Sequence, residues 1–125
     1  MIVGIGLDLA EIPRIAELCE KWGERFTRKV FTDGERAFAA ARASSAQHLA
    51  ARFAAKEATL KALGVPRGLS WHEMEIVGGG TQPPRLMLSG EAKRAADALG
   101  VTRLHLTITH AHPVAAAVVI AEGRD

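Results

Sequence analysis

Hydrophobic residues alternate with small or polar residues at the start of the chain, from Ile2 to Leu9. Two sets of positions make up this segment, one apolar and one small or acidic: Val3, Ile5, Leu7 and Leu9, and Gly4, Gly6 and Asp8. A period of two is that of a β-strand. The glycines predict that another part of the molecule approaches this strand closely on one side.

The longest helical pattern runs from about Ser45 to Leu63 without an internal glycine or proline. Ser44 and Gln47 form a candidate capping pair at its start, and Gly64 with Pro66 ends it. Shorter elements are predicted from capping patterns, alternation and turn residues. They are helices from about Pro13 to Trp22, Thr32 to Ala43 and Glu91 to Leu99, and strands from Glu73 to Val77, Arg85 to Leu88, Arg103 to Thr109 and Val114 to Ile120.

The turns between the later strands predict how those strands pair. Glycines and prolines separate the strands at 73–77 and 85–88, which favours a hairpin, and a short turn joins the last two strands, which favours antiparallel pairing. A chain of 125 residues with 48% hydrophobic residues suits one domain. We therefore expect a single compact α+β domain over residues 1–125, with a mainly antiparallel sheet packed against a long central helix.

Composition excludes several classes of protein. The single cysteine, Cys19, cannot form an internal disulfide, and no apolar run reaches the roughly 20 residues that span a bilayer. The first residues also lack the basic head of a signal peptide, so we expect a cytoplasmic protein without a membrane segment. A net charge of +2 and 5% aromatic residues give little support to nucleic-acid binding, although the basic surface suits an acidic partner.

Two carboxylates stand where the pattern predicts apolar or tightly packed positions. Glu57 follows Phe53 and precedes Leu60 within the apolar stripe of the long helix, and Asp8 shares the glycine side of the first strand. The simplest interpretation of Glu57 is an i,i+4 ion pair with Lys61, and that of Asp8 is a cap after its strand. Taken together, two such acids instead indicate a hard cation such as Mg²⁺, held by few protein ligands.

Polar side chains form one face of the strand from Arg103 to Thr109. His105, Thr107 and Thr109 lie on that face, which is either a solvated strand surface or a row of hydrogen-bonding groups beside a ligand. Arg14, just after the first strand, belongs either to a solvated helix face or to a surface that docks an acidic partner. The remaining histidines follow no recognisable metal-ligand spacing: His48, His72, His110 and His112.

Several motifs, in order and over nearly the whole chain, resemble the small, single-domain phosphopantetheinyl transferases. These motifs are Gly4 to Ile12 with Arg14-Ile15, Arg52 to Ala58 with Lys61 to Gly64, Leu69 to Trp71, Glu75-Ile76, and Leu104 to His110. Two places depart from the pattern of the family. Residues 64–68 replace a common Gly-Thr-Gly, and Val114 stands where a tyrosine is common.

The resemblance implies an activity and a set of site residues. It implies a Mg²⁺-dependent enzyme that moves the 4′-phosphopantetheine arm of coenzyme A onto a serine of acyl carrier protein, and a homotrimer with active sites between subunits. Each implied role falls on matching positions: metal binding on Asp8 and Glu57, catalysis on Glu57, Lys61 and His105, coenzyme A binding on Arg52, Lys61, Gly64, His105 and Thr107, and carrier-protein docking on Arg14.

The resemblance leaves the general base open. The serine proton could pass to Glu57, to a water held by the metal, or to His105, because geometry decides a proton transfer before pKa does. A non-catalytic coenzyme A or nucleotide-binding trimer is the alternative function. Retention of both Asp8 and Glu57 favours the enzyme over this alternative.

Overall fold

The computed structural model describes residues 1–124, in which four consecutive α-helices follow the first strand and the other strands lie in the second half. The helices are α1 (Ile12–Trp22), α2 (Glu24–Val30), α3 (Asp33–Ala40), α4 (Ser45–Ala62) and α5 (Gly90–Ala98). The strands are β1 (Ile2–Glu11), β2 (Met74–Gly79), β3 (Gln82–Leu88), β4 (Val101–Ala111) and β5 (Val114–Gly123). A short 3-10 helix, Trp71–Glu73, precedes β2. None of these helices is long and apolar enough to cross a membrane.

The strands form one three-stranded sheet and one hairpin. β5 lies between β1 and β4 and pairs antiparallel with both, while β2 and β3 pair antiparallel with each other. The predicted hairpin and the predicted pairing of the last two strands are therefore confirmed. The mixed helix and strand architecture confirms the α+β expectation.

The helix starts were predicted with mixed success. Thr32 and Glu35 form the capping box at the start of α3: the Glu35 amide donates to the Thr32 hydroxyl (3.2 Å) and the Thr32 amide donates to Glu35 Oε1 (2.9 Å). The predicted Ser44–Gln47 cap is wrong, because no side chain caps α4 and the Gln47 amide instead contacts His110 (3.0 Å). The sequence analysis also missed α2, and it extended α3 beyond its observed end.

Helix α4 packs directly against the inner face of β1. A Cβ atom built on Gly4 would lie 1.9 Å from the Ala62 carbonyl oxygen, and one on Gly6 would lie 1.7 Å from that of Ala58. Real Cβ atoms essentially never approach a backbone oxygen so closely. Gly4 and Gly6 must therefore be glycines for α4 to lie this close to β1. The approach predicted from the two glycines is thus made by the main chain of α4.

The opposite side of β1 carries its large apolar residues and faces outward. Ile5, Leu7 and Leu9 are 62%, 57% and 61% exposed in the single chain. The core instead lies between α4 and the inner face of the sheet, where alanines dominate. Its members include Ala50, Ala54, Ala58, Ala115, Ala117, Val119 and Ala121. Small side chains on both surfaces allow the helix and the sheet to approach closely.

Candidate active site

The contact between β1 and α4 brings the two acids together. Asp8 lies two residues after Gly6 on the same side of β1, and Glu57 lies beside Ala58 on α4. The Asp8 carboxyl lies close enough to Glu57 to act on its titration. Both acids are partly buried, and 17% of the Asp8 side chain is exposed.

The shared environment changes the titration of Glu57. Burial, then the hydrogen bond to Asp8 and the repulsion from its charge, raise the pKa of Glu57 to about 7, while Lys61 acts in the opposite direction. A bound cation would replace the shared proton between the two oxygens. Asp8 and Glu57 therefore suit a divalent cation at neutral pH.

Lys61 completes this cluster from the next turn of α4. Its ammonium donates to the Leu7 carbonyl oxygen (3.1 Å) and lies 3.4 Å from Asp8 Oδ1. The ion pair of Lys61 is therefore with Asp8 on the strand, and not the simple helical pair with Glu57. Asp8 does not cap the next helix either, because Glu11 occupies the N-cap of α1 without a side-chain hydrogen bond.

The donor set of the cluster fits a metal that keeps several other ligands. Within residues 1–124, no group of three or more histidine, cysteine, aspartate or glutamate side chains could hold a metal ion. Asp8 and Glu57 would thus supply two oxygens, and the remaining ligands would be water or phosphate oxygens. Mg²⁺ is usually held in this way, with few carboxylates and several outside oxygens.

Arg14 lies on the exposed surface of α1 and lines a groove between α1, the end of β1 and α4. The groove has a volume of about 310 Å³ and is lined by Leu9, Leu18 and Phe53 as well as Arg14. Phe53 lies one turn before Glu57 on α4, so the groove and the two acids share one side of the molecule. This position suits a contact with a second macromolecule more than a contact with the reacting atoms.

Arg52 occupies a different side of α4, about 140° around the helix axis from Glu57. Its side chain is buried and donates to the Gly78 carbonyl oxygen (2.8 Å), and its guanidinium lies 3.8 Å from the centre of the Phe38 ring. Arg42 covers the same ring at 3.5 Å. The Nε atom of Arg52 is buried without a hydrogen-bond partner among the described residues.

These two arginines give a small pocket a positive charge. The pocket has a volume of about 130 Å³ and includes Phe38, His48, Arg52 and His110 in its lining. Burial and the neighbouring charges of Arg42, Arg52 and His110 lower the pKa of His48. An anion in this pocket would reduce the concentration of positive charge.

His105 and Thr107 lie on the outer face of the sheet, away from the acids. His105 on β4 is opposite Ile120 of β5, which in turn is opposite Ile5 of β1, so the three side chains share the outer face. Asp8 lies on the inner face, opposite the buried Ala117. A single chain therefore does not bring His105 or Thr107 to the acid pair.

Comparison with known proteins places the chain in a family. The profile of the 4′-phosphopantetheinyl transferase superfamily matches residues 4–118. This chain belongs to that superfamily. The holo-[acyl-carrier-protein] synthase of Anaeromyxobacter dehalogenans strain 2CP-C is 48% identical to it over 126 residues, which cover 98% of each chain. The family resemblance inferred from the motifs is thereby confirmed.

Solved structures of such synthases have the same fold. The holo-[acyl-carrier-protein] synthase of Neisseria meningitidis superposes with a TM-score of 0.85 at 29% identity, covering 98% of this chain and 99% of that one. The Helicobacter pylori synthase, whose structure is a complex with coenzyme A, superposes with a TM-score of 0.79 at 29% identity and covers 94% and 99% of the two chains. The fold therefore agrees with the family to which the sequence profile assigns the chain.

In this phosphopantetheinyl transferase, residues 64–68 depart from the family pattern, and they begin at the regular end of α4. The Gly64 amide donates to the Lys61 carbonyl (3.1 Å) and the Val65 amide to that of Leu60 (2.7 Å), which is a Schellman motif. Gly64 has the left-handed φ of 79° that this motif requires, and Val65 follows with φ 52°. The departure therefore leaves the helix end intact and changes the exposed residues that follow it.

The sequence analysis missed a buried ion pair in this transferase. Lys56 and Glu35 are fully buried, and Lys56 Nζ lies 2.8 Å from Glu35 Oε1. Lys56 also donates to the carbonyl oxygens of Trp71 (2.9 Å) and Met74 (2.8 Å). A lysine among the alanines of the long helix was the available signal, and the sequence analysis assigned it no role.

Proposed function

We propose that this chain is a holo-[acyl-carrier-protein] synthase, which transfers 4′-phosphopantetheine from coenzyme A to a serine of apo acyl carrier protein and releases adenosine 3′,5′-bisphosphate. The observation that carries the proposal is the interacting pair of Asp8 and Glu57, with Lys61 3.4 Å from Asp8. A non-catalytic binding protein would have no use for two adjacent acids of this kind. The agreement with synthases over 98% of the chain supports the same activity.

Asp8 and Glu57 would hold Mg²⁺, on which we expect the activity to depend. When bound, Mg²⁺ would neutralise charge on the pyrophosphate oxygens of coenzyme A. Lys61 would add a fixed positive charge on the same side, because Asp8 and the Leu7 carbonyl hold its ammonium in place. These residues thus stabilise negative charge that develops on the leaving group.

The reaction exchanges one phosphorus–oxygen bond for another. The serine oxygen bonds to the phosphorus that carries the pantetheine arm, and the bond from that phosphorus to the departing bisphosphate breaks. The serine proton passes to a base, for which Glu57 and His105 are the two side-chain candidates. Glu57 would lie beside the bound Mg²⁺, so it could take the proton directly or through a water held by the metal.

A shared active site would bring together the residues that one chain keeps apart. His105 and Thr107 share the outer face of the sheet with the exposed apolar residues Ile5, Leu7 and Leu9. A contiguous apolar face of this kind favours contact with further copies of the chain. We expect a homotrimer in which His105 and Thr107 of one subunit line the site of the next.

The remaining predicted residues would bind the two substrates. Arg52, in its positively charged pocket, and Gly64, at the end of α4, would contact the phosphates of coenzyme A. Arg14 would dock the acyl carrier protein, which is acidic as a class, at the groove that it lines with Phe53. Exposed arginines of this kind speed the encounter of oppositely charged proteins.

The deciding experiment is transfer to apo acyl carrier protein, followed by intact mass measurement. Wild type with coenzyme A and Mg²⁺ should add one phosphopantetheine to the carrier protein, and chelation should stop the addition. Glu57→Gln should lower the rate at least about 100-fold, because it removes a charge from the metal site while keeping the shape. The control is Glu91→Gln, which alters an exposed carboxylate paired with Arg94. Coenzyme A binding by wild type without any mass gain would favour the non-catalytic alternative.

A further inference from the structure

His105 has a fixed partner on the outer face of the sheet. Its Nε2 atom lies 2.9 Å from Glu122 Oε1, and the two side chains are 44% and 42% exposed. Because His105 is opposite Ile120, Glu122 is its diagonal neighbour on β5, on the same face. Diagonal neighbours in an antiparallel pair are within reach of long side chains.

The sheet is irregular at Glu122 on both sides. The register of β1 shifts between Ile2 and Gly4, and that of β4 shifts between Val101 and Arg103, so that both irregularities lie opposite Glu122. Such bulges change the direction of nearby side chains and recur beside active sites. The ladder between the Arg103–Glu122 and His105–Ile120 pairs is regular, so the carboxylate of Glu122 keeps its diagonal position beside the imidazole of His105.

The groups around Glu122 keep it ionised. The hydrogen bond from His105 lowers the pKa of Glu122 most. Burial acts in the opposite direction, and the positive charges of His105, the N-terminal ammonium and Arg103 lower the pKa further. An ionised carboxylate can only accept hydrogen bonds. The contacting Nε2 atom of His105 must therefore carry a hydrogen.

We propose that Glu122 is a positioning residue, which holds His105 as the Nε2–H tautomer and leaves the Nδ1 lone pair free for the transfer reaction. This inference rests on the proposed function, because it gives the atom through which His105 acts. The accepting atom is Nδ1 whether His105 takes the serine proton or accepts a hydrogen bond from a substrate. In the first case, the imidazolium keeps its Nε2–H bond to Glu122 and later returns the proton to water.

The tautomer can be measured without any transfer activity. Long-range ¹H–¹⁵N spectra of the full, ¹⁵N-labelled chain at about pH 8, where histidine is neutral, distinguish the two tautomers. We expect Nε2–H for His105 in wild type and a mixture of tautomers in Glu122→Gln, because an amide can donate or accept. Glu91→Gln should leave the His105 signals unchanged. An Nδ1–H tautomer in wild type, or identical signals in Glu122→Gln, overturns the proposal.

Kinetics of three variants separate this proposal from the proposed function. Glu122→Gln should lower kcat on the order of 10-fold, as loss of a carboxylate partner of histidine commonly does, and Glu122→Asp should recover part of the loss. His105→Ala with Glu122→Gln should be no slower than His105→Ala alone, because Glu122 acts only through His105. If His105→Ala transfers at the wild-type rate, the role of His105 in the proposed function is wrong. If His105→Ala is slow and Glu122→Gln is not, Glu122 has no positioning role.

Discussion

At the scale of single residues, burial and the neighbouring Asp8 change the titration of Glu57. Its pKa is about 7, against an ordinary value of 4.5, because burial disfavours the charged form and Asp8 adds a hydrogen bond and a repelling charge. The raised pKa means that the folded chain favours protonated Glu57. This contribution to stability is fully present below pH 4.5 and is lost as the pH rises through about 7.

We therefore predict that metal-free wild type loses stability relative to Glu57→Gln as the pH is raised from about 5 to about 8. Glutamine does not titrate, so the variant lacks this loss. Thermal unfolding in the presence of a chelator, at several pH values, measures the difference between the two proteins. Added Mg²⁺ should then raise the wild-type Tm at the higher pH and leave that of the variant unchanged. Unfolding curves that stay parallel across the pH range would refute the raised pKa.

Sequence reasoning at this scale found the acids and not their partners. Asp8 and Glu57 stood out because glycine or apolar neighbours surround each of them, which a single sequence displays. Their contact depends on the distance between β1 and α4, which no local pattern contains. Lys61 was assigned to Glu57 by helical spacing, although the strand offers it Asp8 and a carbonyl oxygen.

At the scale of elements, the buried pair of Lys56 and Glu35 joins three parts of the fold. Lys56 on α4 reaches Glu35 at the start of α3 and the carbonyl oxygen of Met74 at the start of β2. Glu35 also accepts from the Ile76 amide of β2 (2.8 Å). Both charges are fully satisfied, so loss of either one leaves the other buried and unpaired.

Lys56→Met should accordingly lower the free energy of unfolding by about 3 to 5 kcal/mol. The double variant Lys56→Met with Glu35→Gln should lose less than the sum of the two single changes, because it leaves no buried charge and retains one acceptor oxygen. Denaturant unfolding of the four proteins gives the coupling free energy. The exposed pair of Lys93 and Asp97 is the control, with an expected coupling of at most about 1 kcal/mol. Strict additivity for the buried pair would contradict this interpretation.

Local patterns predicted most elements because most are bounded by glycine, proline or a capping residue. Gly23 ends α1 and Gly64 ends α4, as expected. The seven residues of α2 escaped prediction because they begin at that same Gly23 and have no clear apolar period. The Ser44–Gln47 cap failed because Gln47 binds a histidine on a distant strand, which is a tertiary preference that local spacing cannot show.

At the scale of the whole molecule, the exposed apolar residues of β1 lie together on the outer face of the sheet. Leu7 lies at its centre and is 57% exposed in the single chain. Burial of such a face against neighbouring subunits would gain on the order of 25 cal/mol for each Å² of apolar surface. The same contact would carry His105 to the acid pair of another subunit.

We predict that wild type is a trimer in solution and that Leu7→Glu is a monomer, because a charge in the centre of an apolar interface is costly. Light scattering measures the mass of each. The monomer should retain its fold by circular dichroism and lose transfer, since half of the site would be missing. Leu99→Glu alters an exposed leucine at the end of α5 and should stay trimeric. A monomeric wild type with full activity would show that one chain contains the complete site.

The main-chain contact between β1 and α4 also affects how the protein tolerates mutation. No layer of side chains separates Gly6 from the Ala58 carbonyl, so peptide groups, which every residue has, set the separation of Asp8 and Glu57. Surrounding side chains can drift over evolutionary time without changing that separation. One added methyl group at Gly6 would instead push the helix off the strand and move the two acids apart. The geometry of the site is thus robust to most substitutions and highly sensitive at two glycines.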